Sequence, residues 1–235
     1  MKIAILSFKP AEEELATEEL RIKLEAENSG HVAQIFRACD CGIVFDGNTA
    51  TVLYKGAEFP DFDIMIPRPR VLFDTDVRIS ILKQFELEGK CVLNSSAAIC
   101  AAKNKIRAQQ ILNSRGIPTP KTFVIENLDN FPDISFPVVL KDPYGTMIVQ
   151  EFIKESVGED IRVFVVGGKV VAVKALGLEC GGVDIIESNK GPLVLEVNSN
   201  PGFKTLENVS GVNVAKAIVE YAISFRQSYP QGRKS

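Results

Sequence analysis

Histidine is nearly absent from this chain: His31 is the only one among 235 residues. That count excludes histidine-rich metal sites and argues against a Ser-His-Asp nucleophile. His31 follows Gly30 where a helix should turn into a strand, a place that suits structure better than catalysis. The five cysteines, Cys39, Cys41, Cys91, Cys100 and Cys180, are odd in number and include no C-x-x-C pair. Neither a disulfide framework nor a zinc site is indicated. Cys39 and Cys41 are close enough for a redox pair, but isolated reduced thiols are the simpler reading. Long hydrophobic runs are lacking too. I-A-I-L, after Met1 and Lys2, stops at Ser7, too short for a signal-peptide core, and no later run reaches membrane-spanning length. The expectation is a cytoplasmic protein with no membrane partner. There is no dense basic stripe, and the net charge is −3. Direct nucleic-acid binding is therefore not expected, while a basic protein stays open as a partner.

What is present suits a folded α/β protein. Apolar residues make up 46% and charged residues 24%, enough to bury a core in one compact unit or two small domains. Lys2 to Leu6 reads as a buried parallel strand, Ala11 to Asn28 as a surface helix ended by Gly30, and His31 to Phe36 as a second strand. This β-α-β opening predicts a parallel sheet. Gly42 to Tyr54 alternates polar and apolar around the turn Asp46-Gly47-Asn48 and reads as a hairpin. Phe62 to Ile66 is a further buried strand, Val77 to Glu88 a helix and Cys91 to Leu93 a short strand. Residues 1–94 thus form a Rossmann-like layer, without the G-x-G-x-x-G loop of a dinucleotide site.

Ser95 or Ser96 can cap a helix running to about Ser114. Strands are then expected at Pro137 to Lys141, Met147 to Phe152, Ile161 to Val166 and Lys169 to Lys174, with Gly167-Gly168 as a tight turn between the last two. Val183 to Glu187 and Pro192 to Asn198 read as another hairpin, and Val212 to Phe225 as a closing helix. The expected division is 1–94, a central part 95–149, and a C-terminal α+β part 150–235.

The strongest chemical signal is G-V-D-I-I-E-S-N-K-G-P-L-V-L-E-V-N-S-N-P-G, residues 182–202. Strand side chains alternate faces, so Glu196 and Asn198 point the same way. With the turn near Lys190, Asp184 falls opposite Glu196. Two facing carboxylates repel unless a cation sits between them. Two acids and an amide oxygen, without nitrogen or sulfur donors, suit Mg²⁺ or Mn²⁺ shared with phosphate oxygens. A solvated acidic strand face is the plainer alternative. Lys141 ends F-P-V-V-L-K at the mouth of a sheet and Lys105 lies in A-K-N-K-I-R; each can place a point charge on phosphate. Glu151 and Phe152 end a strand where an adenine edge could lie, Asp160 can accept from ribose hydroxyls, and Arg162 can face a phosphate or a substrate carboxylate. An edge strand with neighbouring Asp160 and Arg162 charges is the bland counterpart.

Together, M-K-I-A-I-L-S, F-D-I-M-I-P-R, L-N-S-S-A-A-I, K-N-K-I-R-A-Q-Q-I-L, G-I-P-T-P-K-T, F-P-V-V-L-K, V-Q-E-F-I-K-E, D-I-R-V-F-V-V-G and the 182–202 segment resemble the ATP-grasp superfamily, and within it the RimK-like α-L-glutamate ligases. The resemblance implies an α/β ATP-grasp fold behind an N-terminal Rossmann-like pre-ATP-grasp domain. It implies ATP and Mg²⁺ or Mn²⁺ as cofactors. Lys105 and Lys141 would contact ATP phosphates, Glu151 and Phe152 the adenine, and Asp160 the ribose, while Asp184, Glu196 and Asn198 would hold the metal. The implied reaction phosphorylates a carboxylate and lets an amine, often that of L-glutamate, attack the acyl phosphate. The acceptor would be a protein C-terminus, such as a ribosomal protein tail; a small-molecule or carrier-protein acceptor is the sister reading. A homo-oligomer, commonly a tetramer, is also implied.

Two departures stand out. Only D-P-Y-G-T separates Lys141 from Met147, where the family has a glycine-rich lid. A-L-G-L-E-C directly follows Val173-Lys174, where the family has an arginine- and asparagine-bearing segment and a helix. Lids are mobile by function, so the favoured expectation is that segments are missing at both junctions, with a gap in the backbone near 146–147 or 174–176. A genuine deletion would instead leave a nucleotide-sensing or scaffold shell.

Overall fold

The computed structural model describes residues 1–70, 77–126, 137–141 and 147–230. The chain opens with β1 (Lys2–Ser7), α1 (Thr17–Asn28) and β2 (Val32–Arg37). β1 and β2 pair in parallel, as the β-α-β pattern predicts. A side sheet follows, formed by β3 (Cys41–Asp46), β4 (Thr49–Tyr54) and β5 (Ala57–Glu58). Asp46 faces Thr49, so Gly47 and Asn48 make the two-residue turn; Gly47 adopts φ 57°, which suits glycine. The chain then returns as β6 (Ile64–Arg68), parallel to β1 on its other side. Cys91 to Leu93 contributes a single parallel bridge, Met65 to Val92.

Every residue of β6 is buried, as are five of the six in β1. Such near-continuous burial is what a sheet covered on both faces requires. Ile3, Ile5 and Ile64 pack with Ile22 and Ala26 of α1 on one side. Leu6 and Met65 pack with Ile81, Leu82 and Phe85 on the other, where α2 spans Val77–Leu87. Each fully buried aliphatic side chain contributes about 1.5–3 kcal/mol.

The central segment contains α3 (Ser96–Lys103) and α4 (Lys105–Ser114). Ser95 caps α3 by accepting from the Ala98 amide at 3.2 Å. A small antiparallel sheet follows, from β7 (Thr122–Ile125), β8 (Val138–Lys141) and β9 (Met147–Glu151), with β9 in the middle. The last part holds β10 (Ile161–Val166), α5 (Val171–Ala175), β11 (Cys180–Ser188), β12 (Gly191–Asn198), α6 (Lys204–Ser210) and α7 (Val214–Ser228). β10, β11 and β12 form one antiparallel sheet. α7 buries Ile218, Val219 and Ala222 against Ile3 and Ile22, so one core joins both ends of the chain. No helix among the described residues is long and apolar enough to cross a membrane.

Three expectations need correction. α1 begins at Thr17 rather than Ala11, because the Glu19 carboxylate accepts from the Ala16 amide at 2.8 Å and sets the helix start there. The single helix expected from Ser95 to Ser114 is two. Asn104 leaves helical geometry (φ −85°, ψ 105°) and its side chain caps α4 by accepting from the Arg107 amide at 2.9 Å. Lys169 to Lys174 is not a strand, since α5 lies there. The edge it would occupy is taken by β11, which pairs directly with β10. The Gly167 and Gly168 amides both donate to the Glu179 carbonyl, steering the chain away from a hairpin. Across the junction at 174–176 the chain turns directly out of α5. Gly177 donates to Lys174 and Leu178 to Val173 across that junction, at 3.0 and 3.1 Å. The other junction, 142–146, lies outside the described residues.

Candidate active site

The hairpin of β11 and β12 positions the acidic residues. Its register places Asp184 directly opposite Glu196 and Gly182 opposite Asn198. Asp184, Glu196 and Asn198 therefore share one face. The opposite face carries Val183 and Val197, 0% and 1% exposed, which anchor the ribbon in a core with Val173 and Leu178. A register shift follows Asp184, because Ile185 pairs with Val194 and leaves Leu195 over as a bulge. Bulges of this kind re-aim side chains near sites.

Cations from three elements converge on that face. Arg162, opposite Asp184 on β10, donates Nε to Oδ1 at 2.6 Å and Nη2 to Oδ2 at 2.7 Å. Lys105, the first residue of α4, places Nζ 2.7 Å from Glu196 Oε2. The break at Asn104 puts it there. Lys141 ends β8 and donates to Gln150 Oε1 at 3.0 Å; Gln150 in turn donates to Thr122 at 3.1 Å. Burial holds the Lys141 pKa below the ordinary lysine value, and the charge of Lys105 adds to this; Glu196 and Asp184 oppose it. Lys141 thus feels the acids of the ribbon although it belongs to a different sheet. Asn198 Oδ1 accepts from the Asn200 amide at 3.0 Å, leaving that oxygen a second lone pair.

The oxygen donors fit a hard divalent cation. Among the described residues no group of three or more His, Cys, Asp and Glu side chains could hold a metal, so two carboxylates and an amide would need phosphate oxygens to complete the shell. The two carboxylates carry Arg162 and Lys105 as counter-charges, which removes the repulsion that their register imposes.

The nucleotide residues divide between two clefts. Lys105, Lys141, Gln150 and Glu196 line a narrow one of about 30 Å³, room for only a few waters. Glu151 and Phe152 line a second of about 430 Å³ with Lys121, Lys154 and Leu193. β9 links them, giving Ile148 and Gln150 to the first and ending in Glu151 at the second. Asp160 is exposed just before β10 and lines neither cleft. Three further polar residues were not singled out from sequence. Gln150 positions Lys141. Asn94 binds the Cys180 carbonyl at 2.7 Å and accepts from the Glu179 and Cys180 amides, tying the N-terminal layer to the start of β11. Arg68 closes β6. Both Asn94 and Arg68 sit in the quoted L-N-S-S and I-P-R stretches, at ends of strand-like segments, and that position is the signal available.

Comparison with known proteins gives the family. The RimK PreATP-grasp domain profile matches residues 1–99 and the RimK-like ATP-grasp domain profile matches 144–174 and 172–222. The chain is 32% identical over 290 aligned residues to a probable alpha-L-glutamate ligase 1 from a Shewanella species, covering 94% of this chain and 95% of the relative. This chain belongs to the RimK-like ATP-grasp family. A probable alpha-L-glutamate ligase from Teredinibacter turnerae matches at the same identity and coverage. Among solved structures, an ATP-grasp RimK domain protein from Sphaerobacter thermophilus superposes with a TM-score of 0.73 at 20% identity, over 95% of this chain and 100% of that one. The ATP-grasp ligase PsnB, complexed with precursor peptide PsnA2 and AMPPNP, gives 0.70 at 16%, over 95% and 97%. These likenesses show the ATP-grasp fold. ATP-grasp ligases use ATP and a divalent metal, and the donor set of the ribbon suits both. The 290 aligned positions exceed the chain's 235 residues, so the relatives carry segments with no counterpart here. The RimK-like ATP-grasp profile breaks at residues 172–174, beside the second shortened junction.

Proposed function

We propose that this chain is an ATP-dependent carboxylate–amine ligase that adds L-glutamate to a protein C-terminal carboxylate through an acyl phosphate. The observation that carries the reading is the direct opposition of Asp184 and Glu196, with Asn198 on the same face and Lys105, Lys141 and Arg162 converging on it. The name of the Shewanella relative supports glutamate as the amine. PsnB, bound to a precursor peptide, supports a peptide acceptor. Asp184, Glu196 and Asn198 would hold Mg²⁺ or Mn²⁺, which would neutralise phosphate charge.

Lys105 and Lys141 would grip the phosphates, Glu151 and Phe152 the adenine, and Asp160 the ribose. Arg162 would leave Asp184 to meet the carboxylate as it becomes charged acyl phosphate. An acceptor oxygen bonds to the γ-phosphorus and ADP leaves. The amine nitrogen then bonds to the carbonyl carbon, loses a proton, and phosphate leaves. Positioning and charge neutralisation would supply most of the rate. A ribosomal protein tail fits the acceptor class, in a cytoplasmic homo-oligomer.

ADP formation that requires Mg²⁺, L-glutamate and an acceptor peptide tests this. Glu196→Gln should abolish ADP release while leaving the fold intact, because its ion pair with Lys105 is half-exposed and contributes about 1 kcal/mol or less. Undiminished turnover in that variant would remove the metal site. The segments that the relatives carry and this chain lacks favour a second reading, a shell that binds nucleotide without turnover. Calorimetry showing ATP binding with no ADP from any acceptor would select it.

A further inference from the structure

Arg68 closes β6 at the carboxyl end of the parallel sheet, the side on which open α/β sheets receive ligands. It is 8% exposed. Among the described residues nothing accepts a hydrogen bond from its guanidinium and no carboxylate lies within ion-pair distance. Its recorded contact is the ring of Phe203, 5.5 Å from Cζ. Glu19 and Glu18 act on it only through longer-range charge, and the Glu19 carboxylate is already committed to the Ala16 amide. Burial pushes the Arg68 pKa down to about 10, still well above neutrality. A buried cation with five donors and no counter-ion among the described residues is expensive to keep.

A second cation shares the place. Lys103, the last residue of α3, is half-buried and likewise has no hydrogen-bond or ion-pair partner among the described residues. The charges of Glu196, Lys105 and Arg68 all act on it, so it lies near both the acidic ribbon and Arg68. The loop after β12 brings acceptors to the same region. Asn200 donates Nδ2 to the Pro69 carbonyl at 2.8 Å, next to Arg68. Its Oδ1 and the Ser199 hydroxyl are buried without hydrogen-bond partners among the described residues.

Unmatched cations beside unmatched acceptors complement one kind of molecule, an α-amino acid. We propose that Arg68 and Lys103 bind a non-reacting carboxylate of the amino-acid substrate, while Asn200 and Ser199 receive its amino group. The proposal rests on the ligase reading. The carboxylate concerned is not the one that is phosphorylated. An attacking carboxylate needs a free lone pair, which a guanidinium fork would occupy. The phosphate side also has its own cations in Lys105, Lys141 and Arg162. Asn200 and Asn198 are joined by a hydrogen bond, so the amine would be delivered next to the ribbon that holds the acyl phosphate.

The test is a calorimetric titration of the full chain with L-glutamate in the presence of AMPPNP and Mg²⁺. The wild type should bind, and Arg68→Gln should bind at least 30-fold more weakly. Wild type should also prefer L-glutamate over its α-amide or its γ-amide, and the variant should lose that preference. Arg68→Lys keeps the charge but not the fork, and should show an intermediate loss with an unchanged melting temperature. Arg68→Met should not lower the melting temperature, because it removes a buried charge that no ion pair or hydrogen bond among the described residues compensates. The idea is overturned if Arg68→Gln binds L-glutamate as the wild type does, or if the wild type does not bind it. It is also overturned if the variant loses AMPPNP instead, or if Arg68→Met melts far earlier. Binding through Arg68 without ADP production would sink the ligase reading and leave the subsite standing. ADP production with an unchanged KM for glutamate in Arg68→Gln would do the reverse.

Discussion

Arg162 and Asp184 face each other across β10 and β11 and are joined by two parallel hydrogen bonds of 2.6 and 2.7 Å. The fork occupies both oxygens of a carboxylate that the proposed metal also needs. Hydrogen bonding to Asp184 raises the Arg162 pKa above its ordinary value, so the guanidinium stays charged across the working range. Arg162 is 52% exposed on its side chain, and the pair therefore contributes only about 1 kcal/mol or less to stability.

Arg162→Gln should accordingly melt close to the wild type, yet bind Mn²⁺ several-fold more tightly in the absence of nucleotide, because Asp184 is released. Turnover should fall at least a hundredfold. Mn²⁺ titration followed by electron paramagnetic resonance, beside an ADP assay, checks both. Unchanged Mn²⁺ affinity would mean that Asp184 is not a ligand.

Lys141 carries a pH signature. Its folded pKa lies below 10.5, the ordinary lysine value, chiefly through burial. Between the folded pKa and 10.5, the unfolded chain holds a proton that the folded chain has lost, so stability rises with pH across that window. Below it both states are charged and the burial penalty is felt in full. Lys103, shifted the same way by burial, adds to the effect. Lys141→Met should raise the melting temperature at pH 7, with the gain shrinking toward pH 10.5, while AMPPNP affinity drops about tenfold or more. Melting curves from pH 7 to 10.5 decide it; a lower melting temperature at pH 7 contradicts the buried-charge argument.

Gly182 pairs with Asn198 and lies under the loop that follows it. A Cβ there would meet Pro201 Cβ at 2.9 Å and Cγ at 3.2 Å. The proline ring is stiff and its position is buried, so the loop must shift. Overpacking of this kind costs about 1–3 kcal/mol. Gly182→Ala should lower the urea midpoint with an unchanged m-value and reduce turnover by more than the stability loss explains.

The thiols report on burial. Cys39 is exposed. Burial pushes Cys41, Cys91 and Cys180 each up to about 12. Only thiolates react readily. A disulfide reagent at pH 8 should label Cys39 within minutes and Cys91 and Cys180 only after denaturant is added, as peptide mass mapping would show.

Several features were legible because they are local. The Asp46-Gly47-Asn48 turn sets the register of its hairpin, and the turn near Lys190 puts Asp184 against Glu196; both pairings are observed. The parallel opening and the cap at Ser95 also needed only neighbouring residues. The misreadings share a different cause. Val170 to Val173 carries β-branched residues that favour a strand, but the competing edge was claimed by β11, ten residues onward. The helix across Lys103 and Lys105 looked continuous by composition. Asn104 offers its side chain to Arg107 instead, and Lys105 reaches Glu196, 91 residues away.

Sequence alone determined the strand and helix segments, the carboxylate pair and the family, because these depend on period, turn chemistry and ordered motifs along one stretch of chain. Tertiary structure decided which cations meet those carboxylates and which have no partner among the described residues. Arg68 and Lys103 become notable only once their burial and their lack of a hydrogen-bond or ion-pair partner among the described residues are known, and both depend on segments far apart in the chain. Charge and burial act through space, so no reading along the chain could have supplied them.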